Sequence, residues 1–303
     1  KGWNFCSDNV AGAAPEILQA LTNAGAAGAM MPYGADPLTA RVEKRLAEIF
    51  ETDLAVHFVA TGTAANALSL AAMCPPYGAV YCHRDSHVNV DECGAPEFFT
   101  GGAKLVALDG PDGKLDAAGL AVALDQGWAG IEHHVQPAAV SLTQSSEAGT
   151  VYRLDEIAAI SELCRSHGLG LHIDGARFAN ALVSLGCSPA DATWRAGVDA
   201  LSFGATKNGA MAAEAVLFFR PGQSDGLRFR RKRAGHLFSK MRFLSAQLDA
   251  YLDDDLWLRH ARHANAMAAR LAEGLGAIPA VEFIYRVEAN ELFVVLPSAI
   301  REG

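Results

Sequence analysis

Three short strings bring together residue types that could do chemistry. In Thr61-Gly62-Thr63-Ala64-Ala65-Asn66 the residues are small enough for a backbone to approach a ligand closely. If the string opens a helix, its unpaired amides attract an anion such as phosphate, although a Thr63 that merely caps the helix would account for it too. In His172-Ile173-Asp174-Gly175-Ala176-Arg177, Asp174 closes an apolar run. An ionised carboxylate there needs a cationic or hydrogen-bonding partner, and it could hold a ring nitrogen in its protonated state. Arg177 offers a fork suited to a carboxylate, unless an internal Asp174–Arg177 ion pair uses up both side chains. In Ser202-Phe203-Gly204-Ala205-Thr206-Lys207-Asn208-Gly209, Lys207 follows an apolar run among small neighbours that leave room for a bulky group on its amine. A loop lysine is ordinarily a solvated charge, but a crowded amine of lowered pKa forms Schiff bases. A phosphate nest, an acid for a pyridine nitrogen and an amine for an aldehyde together describe one cofactor, pyridoxal 5'-phosphate.

The elements that must position these strings alternate regularly. Ala55–Val59, Ala79–His83, Lys104–Leu108, Ala138–Thr143, Leu169–Asp174, Ala200–Phe203 and Ala215–Phe219 read as strands, and Pro37–Phe50, Thr63–Met73, Asp116–Gln126, Leu154–His167 and Arg177–Leu185 as helices. Parallel neighbours need a crossover of a dozen or more residues, so this rhythm predicts an α/β fold with a mostly parallel seven-stranded sheet between helices. All three strings then fall at carboxyl ends of strands, the edge where open α/β sheets place ligands. After Phe219 the pattern predicts one long helix over Ser224–Leu252, a second over Leu256–Leu275, and strands at Val281–Tyr285 and Leu292–Leu296. A large domain over residues 1–250 and a smaller α+β unit over 251–303 follow, the latter looking truncated because two strands and a helix rarely make a stable layer alone.

Composition bounds the partners. Of 303 residues half are hydrophobic and 19% charged, and 25 basic against 34 acidic side chains leave a net charge of −9. Such a chain is a poor general binder of nucleic acid or anionic membrane. The cluster Arg228, Arg230, Arg231, Lys232, Arg233 therefore reads first as a solvated helix face. No apolar stretch reaches the ~18 residues of a membrane span. Six dispersed cysteines without a CxxC pair read as reduced, mostly buried thiols, and a cytoplasmic location is expected. Cys82, His83, His87 and Cys93 match no usual zinc spacing, and no metal is expected. Leu154, Ile157, Ile160 and Leu163 recur at helical spacing as core residues.

The His172–Arg177 string, the Lys207 segment, Ser7-Asp8-Asn9, Tyr33-Gly34-Ala35-Asp36-Pro37 and Asp85-Ser86-His87 resemble the low-specificity L-threonine aldolases, fold type I enzymes of the β-eliminating lyase group. The resemblance runs over almost the whole chain and is nearest the bacterial branch that includes phenylserine aldolases. It implies that Lys207 carries the cofactor, Asp174 bonds the pyridine nitrogen and His87 stacks on the ring. Gly62 and Thr63 would hold the phosphate, and Ser7 and Arg177 the substrate carboxylate. Lys232 would reach the phosphate of a neighbouring subunit and Tyr33 the neighbour's pocket, in a homodimer or homotetramer with shared sites. The implied reaction cleaves threonine or a related β-hydroxy-α-amino acid to glycine and an aldehyde.

Two departures accompany the resemblance. Many members carry a histidine after the strand that ends near residue 143, where this chain reads Thr143-Gln144-Ser145-Ser146-Glu147. That leaves His87 as the first choice of base and His133 as a distant second. A second carboxylate-binding arginine of the family would follow Gly303, and Arg301 comes too early for it. Aminotransferases and β-eliminating lyases of the same fold share the lysine and aspartate, and a chain lacking that arginine could bind cofactor without turnover. Glycine plus aldehyde as products would separate these readings.

Overall fold

The computed structural model describes residues 5–126, 129–220 and 222–297. The seven strands expected from the alternation form one sheet: β1 (Ala55–Val59), β2 (Gly78–His83), β3 (Lys104–Leu108), β4 (Gln136–Thr143), β5 (Gly170–Gly175), β6 (Ala200–Gly204) and β7 (Glu214–Phe218). Their order is β1-β7-β6-β5-β4-β2-β3, with β7 antiparallel to both neighbours and the other pairs parallel. Strands β6 and β7 are buried throughout, as strands covered on both faces must be.

The helices are α1 (Pro15–Ala26), α2 (Pro37–Ile49), α3 (Gly62–Met73), α4 (His87–Val90), α5 (Ala95–Thr100), α6 (Ala117–Leu124), α7 (Leu154–His167), α8 (Phe178–Leu185), α9 (Leu227–Arg233), α10 (Arg242–Leu252) and α11 (Leu256–Gly276). Capping residues set several starts. Asp36 accepts from the Thr39 amide ahead of α2 at 2.9 Å, and Asp116 from Gly119 ahead of α6 at 2.6 Å. Thr61, rather than Thr63, caps α3 by accepting from the Ala64 amide at 3.2 Å. Ile157 and Ile160 are buried in the core, with Leu154 and Leu163 packed against it. The rings of Phe50, Phe178, Phe203 and Trp257 meet beneath β6, Phe203 and Trp257 with centroids 5.5 Å apart.

Two expectations fail. The helix expected over Ser224–Leu252 is broken into α9 and α10 because Gly235 takes φ +78°. There the Gly235 amide bonds the Lys232 carbonyl and the His236 amide the Arg231 carbonyl, a closure that glycine adopts without steric cost. The strands near the end shrink to β8 (Glu282–Phe283) paired antiparallel with β9 (Val294–Val295). Arg301 lies outside the described residues. No disulfide joins the cysteines among the described residues; Cys74, Cys82 and Cys164 are buried, Cys187 is half-buried, and Cys6 and Cys93 are exposed. Among the described residues no helix is long and apolar enough to cross a membrane.

Candidate active site

The strand ends converge as the sheet topology requires. In register, Thr143 lies beside Asp174, Gly175 beside Phe203, and Gly204 beside Glu214, which in turn faces Val59. Gly204 must be glycine because a Cβ there would come within 2.6 Å of the Ala176 Cα, so the β5–α8 turn and the end of β6 pack backbone to backbone.

Asp174 is 3% exposed. One of its carboxylate oxygens accepts from the Ala176 amide at 3.0 Å and the other from Asn66 Nδ2 at 2.8 Å. The same Asn66 nitrogen donates to Glu92 Oε1 at 2.8 Å, and that oxygen lies 2.8 Å from His87 Nδ1. A continuous chain His87–Glu92–Asn66–Asp174 therefore runs under the hollow. The hydrogen bond that His87 donates to Glu92 raises the His87 pKa against the opposing effect of burial, with Asp174 adding to the rise. Burial raises Glu92, with His87 and Asn66 opposing. One ligand-type atom each from His87, Glu92 and Asp174 lies within 4.8 Å of the others, but the Asn66 amide already bridges the two carboxylates.

Asp174 and Arg177 do not form the internal ion pair considered above. Arg177, 7% exposed, gives Nε to Asp8 at 2.7 Å and Nη2 to Glu291 at 2.8 Å, and its Nη1 lies 3.9 Å from Glu147. Burial alone would raise Asp8, but Arg177 outweighs it and holds the carboxyl below its ordinary range. Burial pushes Glu291 up to about 7 against Arg177, with Asp8 and Glu147 adding. Ser7 is exposed and accepts from the Asn9 amide at 3.1 Å, so it is its neighbour Asp8 that meets Arg177.

Lys207 sits on a single tight turn, Thr206–Asn208, directly after β6. Glu214 accepts from the Ala205 amide at 3.0 Å on one side of this turn. On the other, Asn208 Nδ2 donates to Tyr251 Oη and to the Trp257 carbonyl, both at 2.8 Å, and the Asn208 carbonyl meets His260 Nδ1 at 2.9 Å. Lys207 is half-buried, and its charge acts on Asp8, Glu147 and Glu291. The amine thus shares the hollow with Arg177 and its carboxylates.

At the mouth of α3 the Thr61 cap leaves the amides of Gly62 and Thr63 outside the helical ladder. No atom lies within 4 Å of where a Gly62 Cβ would stand, so space is open there. Lys232 and Tyr33 come together, the ammonium 5.1 Å from the ring centroid, and both are exposed. His133 is exposed in the loop before β4, and among the described residues no hydrogen bond or ion pair ties it to the hollow. His172 bridges Ser141 and Ser202 at 2.9 Å each, and burial lowers its pKa to about 4, so it is a neutral crosslink between strands.

Sequence reasoning passed over Asn66, Glu92, Glu147, Glu214 and Glu291. Two signals were available: Asn66 is a lone amide within an otherwise small and apolar helix, and Glu214 opens an apolar strand much as Asp174 closes one.

Comparison with known proteins places this geometry. A family model described as beta-eliminating lyase matches residues 4–299. The low-specificity L-threonine aldolase of Pseudomonas aeruginosa is 48% identical over 300 residues, covering 99% of this chain and 86% of that protein. The protein of the same name from Pseudomonas sp. (strain NCIMB 10558) is 47% identical over 300 residues with the same coverage. The solved Leishmania major threonine aldolase superposes with a TM-score of 0.92 at 31% identity, over 99% of this chain and 86% of that one. The sheet is accordingly the fold type I arrangement. The chain belongs to the beta-eliminating lyase family of pyridoxal-phosphate-dependent enzymes, alongside the low-specificity L-threonine aldolases.

Proposed function

We propose that this protein is a pyridoxal-phosphate-dependent aldolase that cleaves L-threonine or a related β-hydroxy-α-amino acid, aromatic ones included, to glycine and an aldehyde. The observation that carries this reading is the convergence of the Lys207 turn and the buried Asp174 at one sheet edge, with Arg177 between them in the chain and in the same hollow. The donor set fits the cofactor. Lys207 makes no hydrogen bond or ion pair among the described residues, Asp174 is a buried acceptor, and open space adjoins the unpaired amides at the mouth of α3. Asn66 Oδ1 and Glu92 Oε2 are buried polar atoms without protein partners, as expected of a site lined for a polar guest.

Lys207 would hold the cofactor covalently, Asp174 its pyridine nitrogen, Gly62 and Thr63 its phosphate, and His87 one ring face. When bound, pyridoxal phosphate supplies a sink for the electron pair released at Cα. Arg177 receives the substrate carboxylate, exchanging Glu291 for it. Glu291 is the exchangeable partner because burial already favours its neutral form, whereas Asp8 stays ionised and keeps the guanidinium aimed. A fixed carboxylate sets which bond at Cα stands perpendicular to the ring and so which bond breaks. His87, held by Glu92, is positioned to hold or move a proton at the ring face. Lys232 and Tyr33, paired at the surface, would complete a neighbour's site in a homodimer or homotetramer, and the enzyme would work in the cytoplasm.

The direct test is the visible spectrum of the purified protein with glycine and aldehyde analysis after L-threonine addition. A Lys207→Ala variant should lose both the absorbance of the bound cofactor and turnover. Normal turnover by that variant would defeat the assignment.

A further inference from the structure

We infer that Glu147 is the group that accepts the β-hydroxyl proton of the substrate, an inference that rests on the aldolase reading above. Cα of the substrate carries the carboxylate held by Arg177 and the amine that replaces Lys207, and the hydroxyl is two bonds away. A proton acceptor must therefore stand next to both Arg177 and the Lys207 turn. Glu147 Oε2 lies 3.9 Å from Arg177 Nη1, on the loop that leaves the end of β4.

The other acids and bases of the hollow are committed elsewhere. His87 is tied through Nδ1 to Glu92 and so to Asn66 and Asp174, the pyridine-nitrogen side. Asp8 spans Arg177 Nε and Nη2 with both of its oxygens. Glu291 occupies the edge of Arg177 that the substrate carboxylate needs, at 2.8 Å. Glu147 accepts no hydrogen bond among the described residues, its contact with Arg177 is 3.9 Å against 2.8 Å for Glu291, and its side chain keeps 26% exposure, so it is the carboxylate least held in place and can return a proton to water.

The groups facing Glu147 are Asp174 from β5, Arg177 from the β5–α8 turn, Lys207 from the turn after β6, His87 from α4 and Glu291 from the C-terminal segment. Burial and the charge of Asp174 raise its pKa above the ordinary carboxylate value, while Arg177, Lys207 and His87 pull it back.

In the step, Glu147 takes the proton of the β-hydroxyl and the O–H pair closes the C=O of the departing aldehyde. The pair of the broken Cα–Cβ bond stays on the glycine fragment, which gains a proton in turn, and Glu147 releases its own to water. Substrate and products balance without oxidant or reductant.

The test uses the holoenzyme and its Glu147→Gln, Glu147→Asp and Glu147→Gly variants. Glu147→Gln should lower kcat/KM for L-threonine by about 100-fold or more and erase the acidic limb of its pH profile. Exchange of the glycine Cα hydrogens with D2O, which needs no β-hydroxyl, should fall by less than about threefold. Glu147→Asp should keep the limb at a reduced rate, and formate should restore cleavage to Glu147→Gly. Glu147→Gln cleaving at the wild-type rate, or formate failing to rescue a Glu147→Gly protein that retains cofactor absorbance, overturns the inference. A wild-type protein that exchanges glycine but forms no glycine from any β-hydroxy amino acid overturns the aldolase reading itself.

Discussion

Glu214 offers a measurement of how the Lys207 turn is held. It is the first residue of β7, is 6% exposed, and accepts from the Ala205 amide at 3.0 Å and the Thr206 amide at 3.4 Å. Burial, reinforced by the charge of Asp174 and opposed by Thr206 and the two amides, raises its pKa from the ordinary 4.5 to about 7. An acid whose folded pKa lies above its unfolded one binds its proton more tightly when folded. Its contribution to stability is complete below pH 4.5 and drains away as pH rises to 7. Over that whole span of about 2.5 pH units, at about 1.36 kcal/mol each, the loss is about 3.4 kcal/mol. Between pH 5 and pH 8 it is about 2.7 kcal/mol.

Glu214→Gln keeps an oxygen acceptor for the two amides but cannot ionise. It should cost about 1 kcal/mol at pH 5, where its NH2 replaces a group that could be a neutral acid. At pH 8 the variant should be the more stable protein, because the wild type alone bears the burial of a charge. Urea unfolding of cofactor-free protein at fixed protein concentration gives both values by linear extrapolation. The difference between wild type and variant should swing by about 2.7 kcal/mol between the two pH values. Parallel pH profiles, staying within about 1 kcal/mol of each other, would mean that Glu214 does not titrate in this range and that the amides of the turn hold it ionised throughout.

Asp174→Asn leaves an oxygen for the Ala176 amide but removes the charge proposed for the pyridine nitrogen; it should retain some cofactor absorbance and lose most cleavage, and wild-type rates would rule the role out. Lys232, stacked over Tyr33 at the surface, is proposed to serve a neighbouring subunit. Dilution followed by ultracentrifugation and cofactor titration should show affinity falling as the oligomer dissociates, and a monomer with unchanged affinity would refute the shared site.

The legible parts of this protein are those whose signal is local. Apolar runs bounded by polar or glycine residues marked all seven strands of the main sheet, and a charge at the end of such a run marked Asp174 and Lys207. The helix break at Gly235 was invisible because a glycine inside a helical pattern is tolerated, and only the hydrogen bonds to Lys232 and Arg231 reveal the closure. Helix α1 escaped notice because its apolar stripe is thin, with only Ile17 and Ala24 buried. The hydrogen-bond chain under the hollow was illegible for a different reason. Asn66 meets Glu92 and Asp174 across separations of 26 and 108 residues, and Asn290 meets Asp8 across 282. No pattern within a helix or strand specifies such a pair; it exists only once the sheet has brought the strand ends together.

The one strand that runs against the others explains why so many carboxylates meet here. Parallel strands deliver their carboxyl ends to a common edge, as β4, β5 and β6 do with Thr143, Asp174 and Gly204. Because β7 is antiparallel, it brings its amino-terminal residue to that edge instead, and this residue is Glu214, set between Gly204 and Val59. A carboxylate delivered this way lies in the sheet beneath the Lys207 turn, not in a loop above it. It can therefore accept the turn's amides from the buried side while Asn208 ties the turn to Tyr251 and Trp257 from the other. The lysine is thus carried by a loop whose backbone is fixed at both ends by the core, which is what a side chain required to reach one atom of a cofactor needs. Had β7 joined in parallel, a crossover helix would have occupied the chain between Lys207 and Glu214, and the seven-residue separation that lets one clamp the other would not exist.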